Sequence, residues 1–247
     1  MLKRRFFKKN SEYNTEIPKI VVNGTSGDGV NYNRLKDNVI FSSDNGKNKI
    51  FQFESAVSGE GKSTVVANTA VALARSGKKV VVVDLDFRRP KVHKIFGVNN
   101  LNGITEFMLG ECEEKEVIKT TEYGVDVVNR GKLTNNASII FTSDKFKEFI
   151  YSLREKYDMV LFDCPPVLLV SDYIHFSPLS DNVIFVACVG VTRRSQLRDA
   201  YELMVKSNPR ILGTVITYRN SGKFGSRYGG YYNSRYYRGV KSNYLED

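Results

Sequence analysis

From about residue 30 onward, short apolar runs alternate with longer amphipathic stretches. The apolar runs at residues 49–54 (KIFQFE), 79–84 (KVVVVD), 125–129 (VDVVN), 158–163 (DMVLFD), 182–189 (NVIFVACV) and 211–217 (ILGTVIT) have strand length. Several are apolar nearly throughout instead of alternating, which is the pattern of strands covered on both faces. Residues 62–76, 103–109, 143–156 and 195–206 lie between them and read as helices. This succession predicts an α/β fold with a mostly parallel sheet and helices on both faces. In such sheets ligands bind where loops leave the carboxyl ends of the strands. No repeat of fixed period is present.

The two ends read differently. Residues 1–29 are polar and read as a flexible basic lead-in, residues 30–217 as the folded domain, and residues 218–247 as a flexible tail. That tail holds seven of the chain's 14 tyrosines, interleaved with Gly, Ser, Asn and Arg. With 247 residues, 41% apolar and 26% charged, the chain can build a real core, which excludes global disorder and a fibrous protein. No apolar run approaches 18 residues, so no transmembrane helix is expected. No apolar segment follows the basic start, so no secretory signal is expected. Cys112, Cys164 and Cys188 fit neither a zinc site nor a disulfide framework, and a reducing cytoplasm is the expected home. His93 and His175 are the only histidines, which leaves little room for histidine-based chemistry.

The formal net charge of +10 is concentrated in the ends: +5 in residues 1–10, +4 in residues 218–247 and +1 in between. A nucleic-acid-binding fold carries its basic surface on the folded domain, so no nucleic-acid partner is expected. Basic tails of this kind suit acidic lipid headgroups or an acidic partner.

The chemistry starts at residues 56–63, AVSGEGKS, which fit the phosphate-loop (Walker A) pattern [AG]-x-x-x-x-G-K-[ST] between a strand and a helix. The glycines let backbone N–H groups curl around phosphate oxygens, and the helix dipole points its positive end at the same place. Ser58, Gly59, Glu60, Gly61, Lys62, Ser63 and Thr64 are the expected ATP-binding residues. Lys62 would reach the β/γ-phosphates and the Ser63 hydroxyl would ligate Mg²⁺. Two further strands end in acids: VVVVDLD at Asp84 and Asp86, and MVLFD at Asp163, a Walker B pattern. A carboxylate at the end of a buried strand beside a phosphate loop can hold Mg²⁺ or its water. Asp86 and Asp163 are therefore expected metal residues alongside Ser63. Lys62, Asp84 and Asp86 are the expected catalytic residues, with the proton acceptor left open between the two acids.

In this ordered set the chain resembles the cytoplasmic catalytic domain of the bacterial tyrosine kinases of capsule and exopolysaccharide synthesis. The resemblance runs over roughly residues 30–247, through SAVSGEGKST, VVVDLDFRRPKVH, YDMVLFDCPPVLLVSD and the terminal tyrosine cluster. It implies a P-loop fold related to the partition and septum-placement ATPases (ParA/MinD-like), with ATP and Mg²⁺ as cofactors. It implies autophosphorylation between molecules, with Tyr228, Tyr231, Tyr232, Tyr236, Tyr237 and Tyr244 as phosphoacceptors. It also implies a membrane-embedded polysaccharide co-polymerase as activating partner and a location at the inner face of the cell membrane.

The chain departs from that family in places. Val30, Asn33 and Lys36 stand where a Glu and two Arg of a ring-assembly motif belong, while Tyr32, Leu35 and Asn38 survive. The Pro-rich segment ahead of residues 143–156 reads TNNASI. Thr217 stands where relatives often carry Asn near the adenine, and Cys164 where they carry Thr. The ParA/MinD-like ATPases carry a signature lysine at the position of Val57. Two other readings share the phosphate loop: an ATPase switch of that type, and a nucleotide-binding adaptor without turnover. Arg88 and Arg89 meet phosphate or acceptor, or form a solvated turn. His93 and Cys164 are expected to be chemically inert.

Overall fold

The computed structural model describes residues 20, 27–134, 137–207 and 210–218. Most of the basic lead-in and all six expected phosphoacceptor tyrosines lie outside the described residues. Among the described residues seven strands are present: β1 (Ile50–Ser55), β2 (Val80–Asp84), β3 (Ile118–Thr120), β4 (Val125–Val128), β5 (Met159–Asp163), β6 (Asn182–Val189) and β7 (Ile211–Tyr218). They form one sheet in the order β3-β4-β2-β5-β1-β6-β7. Every pairing is parallel except β3 with β4.

The sheet is covered on both faces, as its apolar strands demand. Phe51, Phe53, Val80, Val82, Val125 and Leu161 point to one side and pack against α1 (Gly27–Ser42), α2 (Lys62–Arg75) and α3 (Val92–Phe96). Ile50, Val81, Val83, Val128, Val160 and Phe162 point to the other. There they meet α4 (Ile104–Met108), α6 (Ala137–Thr142) and α7 (Asp144–Lys156). The described residues also include α5 (Glu114–Val117), α8 (Tyr173–Phe176) and α9 (Arg194–Val205). Helix α7 shows the local logic. The Ser143 hydroxyl caps its start by accepting from the Phe146 N–H at 3.2 Å, and Phe146, Phe149, Ile150 and Leu153 form its buried stripe.

Two elements differ from the sequence reading. Helix α1 begins at Gly27 and so straddles residue 30, with Tyr32, Leu35, Val39 and Ile40 packed against α2 and the sheet. The edge strand β3 adds three residues antiparallel to β4 where no strand is legible. At two positions of the assembly motif, Asn33 is exposed and Lys36 pairs at 3.0 Å with its neighbour Asp37.

Asp181 ties the amino end of the central strands together. Its Oδ2 accepts from Lys49 N at 2.7 Å, Ile50 N at 2.9 Å and Arg154 Nη1 at 2.5 Å. Truncation to alanine leaves two main-chain donors and a guanidinium short of an acceptor. Asp181→Ala is therefore expected to cost about 2–4 kcal/mol in urea denaturation, with nucleotide affinity unchanged.

Candidate active site

Strand β1 ends at Ser55, the chain turns through residues 56–61, and α2 starts at Lys62. Gly59 and Gly61 both sit at φ +87°, a backbone conformation that side chains disfavour, and a Cβ on Gly59 would stand in open space. Conformation, not crowding, therefore demands glycine there. The result is a glycine turn at the amino end of a 14-residue helix.

The sequence places Glu60 among the expected ATP-binding residues of the loop. Its side chain is buried and turned inward as a brace: Oε2 accepts from Val57 N at 2.8 Å, and Oε1 accepts from the Thr192 hydroxyl. Thr217 Oγ1 donates to the Glu60 carbonyl at 2.7 Å, and its side chain lies 3.6 Å from where a Gly61 Cβ would stand. The phosphate loop is thus pinned from β7 and from the loop after β6. An acid inside a phosphate loop was the one sequence signal for this arrangement.

Lys62 Nζ donates to Asp163 Oδ1, and both side chains are buried. Burial alone would lower the Lys62 ammonium; the charges of Asp163 and then Asp86 outweigh it and hold it above the usual lysine range. Asp163 Oδ2 is buried with no hydrogen-bond partner among the described residues. Asp84 faces Asp163 across the parallel β2–β5 pair. Both Asp84 oxygens are taken by main-chain N–H groups: Oδ1 by Asp86 at 3.2 Å, Oδ2 by Lys91 and Val92 at 3.1 Å each. Burial, and then the Asp163 charge, push the Asp84 carboxyl well above its usual range. Asp86 is half-buried, with Oδ1 accepting from Arg89 N at 3.0 Å. Burial raises its carboxyl and the Lys62 charge opposes the rise. Ser58, Ser63 and Thr64 are half-buried along the same rim, and Gly59 is exposed.

Behind the site lies a polar group that sequence reasoning missed. Gln52 and Glu54 sit in a strand whose six residues are all buried. Gln52 Nε2 donates to Glu54 Oε1 at 2.7 Å, and Ser180 Oγ donates to Gln52 Oε1 at 2.8 Å. Burial pushes the Glu54 carboxyl up to about 8, against the Gln52 hydrogen bond and the Lys62 charge. Burial and then the Glu54 charge raise the neighbouring Cys164 thiol, so this cysteine is inert. The stability contributed by protonated Glu54 is intact below its ordinary value of 4.5 and is lost as pH rises towards about 8, because the unfolded chain has already released that proton. Glu54→Gln is expected to flatten this slope, which for a shift of this size is roughly 3–5 kcal/mol at most. Thermal melts at pH 6 and pH 8.5 should therefore diverge less in the variant than in the parent, by about 5 °C or more.

The residues fit a magnesium nucleotide on three counts. The glycine turn offers main-chain donors at a helix start. A buried carboxylate oxygen, Asp163 Oδ2, lacks a partner. Ser63, Asp86 and Asp163 would offer hard oxygen donors of the kind Mg²⁺ prefers.

A family model described as an AAA domain matches residues 48–190. Tyrosine-protein kinase YwqD of Bacillus subtilis is 32% identical over 216 residues, 87% of this chain and 88% of its own. Tyrosine-protein kinase ptk of Acinetobacter johnsonii is 30% identical over 74% of this chain, which spans 25% of that longer protein. Among solved structures, the chimerical protein CapA2B2 superposes with a TM-score of 0.76 at 28% identity, over 81% of this chain and 92% of that one. The septum site-determining protein MinD of Pyrococcus horikoshii, complexed with Mg-ADP, superposes with a TM-score of 0.59 at 27% identity, over 68% of this chain and 69% of that one. Fold and phosphate loop together define a P-loop NTPase of the MinD-like class. Within that class the chain belongs to the bacterial tyrosine-protein kinase family. Among the described residues no helix is long and apolar enough to cross a membrane.

Proposed function

We propose that the chain is an ATP- and Mg²⁺-dependent protein tyrosine autokinase. It phosphorylates its own C-terminal tyrosine cluster and regulates synthesis or export of a capsular polysaccharide or exopolysaccharide. The observation that carries this reading is the convergence of the braced phosphate loop, Lys62 and three strand-end acids, of which Asp86 is the more exposed of the β2 pair.

In this reading the phosphate-loop main chain and Lys62 bind the triphosphate, and Ser63, Asp86 and Asp163 hold the metal. Mg²⁺ supplies neutralisation of the charge that develops on the phosphoryl oxygens. The acceptor phenol oxygen forms a bond to the γ-phosphorus, the bond to the β–γ bridging oxygen breaks, and ADP leaves. The phenolic proton passes to the Asp86 carboxylate. Asp84, with both oxygens engaged by the main chain, is a positioning residue that sets the loop carrying Asp86. Acceptor tyrosines come from residues 228–244 of another copy. A membrane-embedded partner at the inner face of the membrane supplies activation, and the basic N-terminal residues suit acidic headgroups.

Intact mass after incubation with Mg-ATP, with and without the cytoplasmic end of such a partner, tests the reading. Stepwise additions of about 80 Da, the mass of a phosphoryl group replacing a proton, are expected, and truncation after Thr217 should abolish them. ATP binding without any addition, even with the partner present, would overturn the reading in favour of an adaptor. Steady phosphate release without addition would overturn it in favour of an ATPase switch.

A further inference from the structure

A second concavity, of about 460 Å³, lies beside the acid pair at the carboxyl ends of β2 and β4. Five cationic side chains line it: Arg88, Arg89, Lys91 and Lys94 from the loop and helix after β2, and Arg130 from the chain after β4. No carboxylate lines it, and among the described residues none of the five cations forms a salt bridge. The acids nearby take the loop's main chain and leave its side chains: Asp84 accepts from Lys91 N and Asp86 from Arg89 N. Asp172, an electrostatic neighbour of Arg88, stays outside ion-pair distance.

The far wall is rigid. Arg130 donates from Nη1 to Phe87 O at 2.8 Å and from Nε to Gly131 O at 3.1 Å, which fixes its guanidinium plane against the β2 loop. Asn100 donates to Gly131 O at 2.8 Å, and Glu106 accepts from Gly103 N and Lys132 N at 3.0 Å each. His93 reports the field at the rim: burial, then the charges of Lys94 and Arg130, lower its pKa. An open depression lined by five cations and no carboxylate suits phosphoryl groups chemically, since guanidinium groups match phosphate oxygens.

Resting on the kinase reading, we infer that this concavity binds phosphotyrosine in the chain's own C-terminal region, holding one phosphorylated residue beside Asp86. The site adjoins the acid assigned to the acceptor, and residues 218–247 supply seven tyrosines. Each phosphotyrosine adds about −1.5 to −2 charges, so the tail's net +4 falls with every modification and is cancelled by about two to three of them, while the phosphoryl group itself is attracted locally. Reach is sufficient. Four strand spacings of about 4.8 Å separate β7 from β2, while the ten residues from Tyr218 to Tyr228 extend to about 33 Å.

The test is fluorescence anisotropy on the full chain without ATP, using labelled peptides that copy residues 228–237 with Tyr232 either phosphorylated or free. The phosphorylated peptide is expected to bind at least tenfold more tightly, with a preference that falls as salt is raised. Arg89→Glu with Lys94→Glu, both exposed, should erase the preference while ADP affinity stays within twofold. If that double variant loses ADP binding, Arg88→Glu alone should still cut the preference at least threefold. Equal affinity for the two peptides, or a preference that survives charge reversal, would overturn the inference. So would loss of phosphatidylserine-vesicle binding on charge reversal with no peptide preference, which would assign the surface to lipid. Binding is read without turnover, so failure of the kinase reading would show in the mass assay and leave this measurement intact.

Discussion

The Lys62→Met chain is expected to transfer phosphate at least 10²–10³-fold more slowly than the parent and to lose about 3–5 kcal/mol of stability. The two losses have different origins. Slower transfer follows from removing the cation that neutralises the developing charge. The stability loss follows from the Lys62–Asp163 pair: both side chains are buried, and methionine leaves Asp163 alone, with its Oδ2 already unpartnered. The double variant Lys62→Met/Asp163→Asn separates the effects. It replaces the ion pair by neutral groups of similar volume and is expected to recover most of the stability and none of the transfer. Urea denaturation read beside intact mass checks both. A single variant as stable as the parent would refute a stabilising role for the Lys62–Asp163 pair, whatever its activity.

Much of this arrangement was legible beforehand, and the gaps have physical causes. Strands β2, β5 and β6 announce themselves because continuous apolar runs have nowhere to sit but the middle of a parallel sheet. The phosphate loop, Lys62 and the three acids follow from local pattern, since a strand end and a helix start place them on one edge. Helix α1 was hidden because its apolar positions Tyr32, Leu35, Val39 and Ile40 are diluted with Asn, Asp and Lys, so packing against α2 stabilises it where periodicity does not. Strand β3 is three residues on a half-exposed edge, too short for any pattern. Gln52 and Glu54 lie within a run read only as a strand, and both are fully buried: Gln52 bonds Glu54 and Ser180, while Glu54 Oε2 has no partner among the described residues. The basic concavity joins Arg130 to Arg88 across 42 residues of sequence, a juxtaposition that only the β2–β4 pairing creates.

The adjacent acids Asp84 and Asp86 are chemically alike in sequence and structurally opposite, and that contrast yields the second large effect. Asp86→Asn is expected to slow transfer about 10²–10⁴-fold, because an amide cannot accept the phenolic proton and holds Mg²⁺ less well than a carboxylate. Stability should change by less than about 1 kcal/mol, since a carbonyl oxygen can still accept from Arg89 N. Asp84→Asn should behave in reverse order. Its carboxylate serves three main-chain donors with two oxygens, and asparagine keeps one acceptor while burying an NH₂ group against the remaining N–H groups. A loss of about 2–4 kcal/mol is expected, with transfer falling as the loop that carries Asp86 loosens. A pH–rate profile distinguishes the roles. The parent and Asp84→Asn should share one acid limb, from Asp86, while Asp86→Asn should lose it. If Asp84→Asn abolishes the limb and Asp86→Asn retains it, the proton acceptor is Asp84 and its main-chain hydrogen bonds must open during turnover.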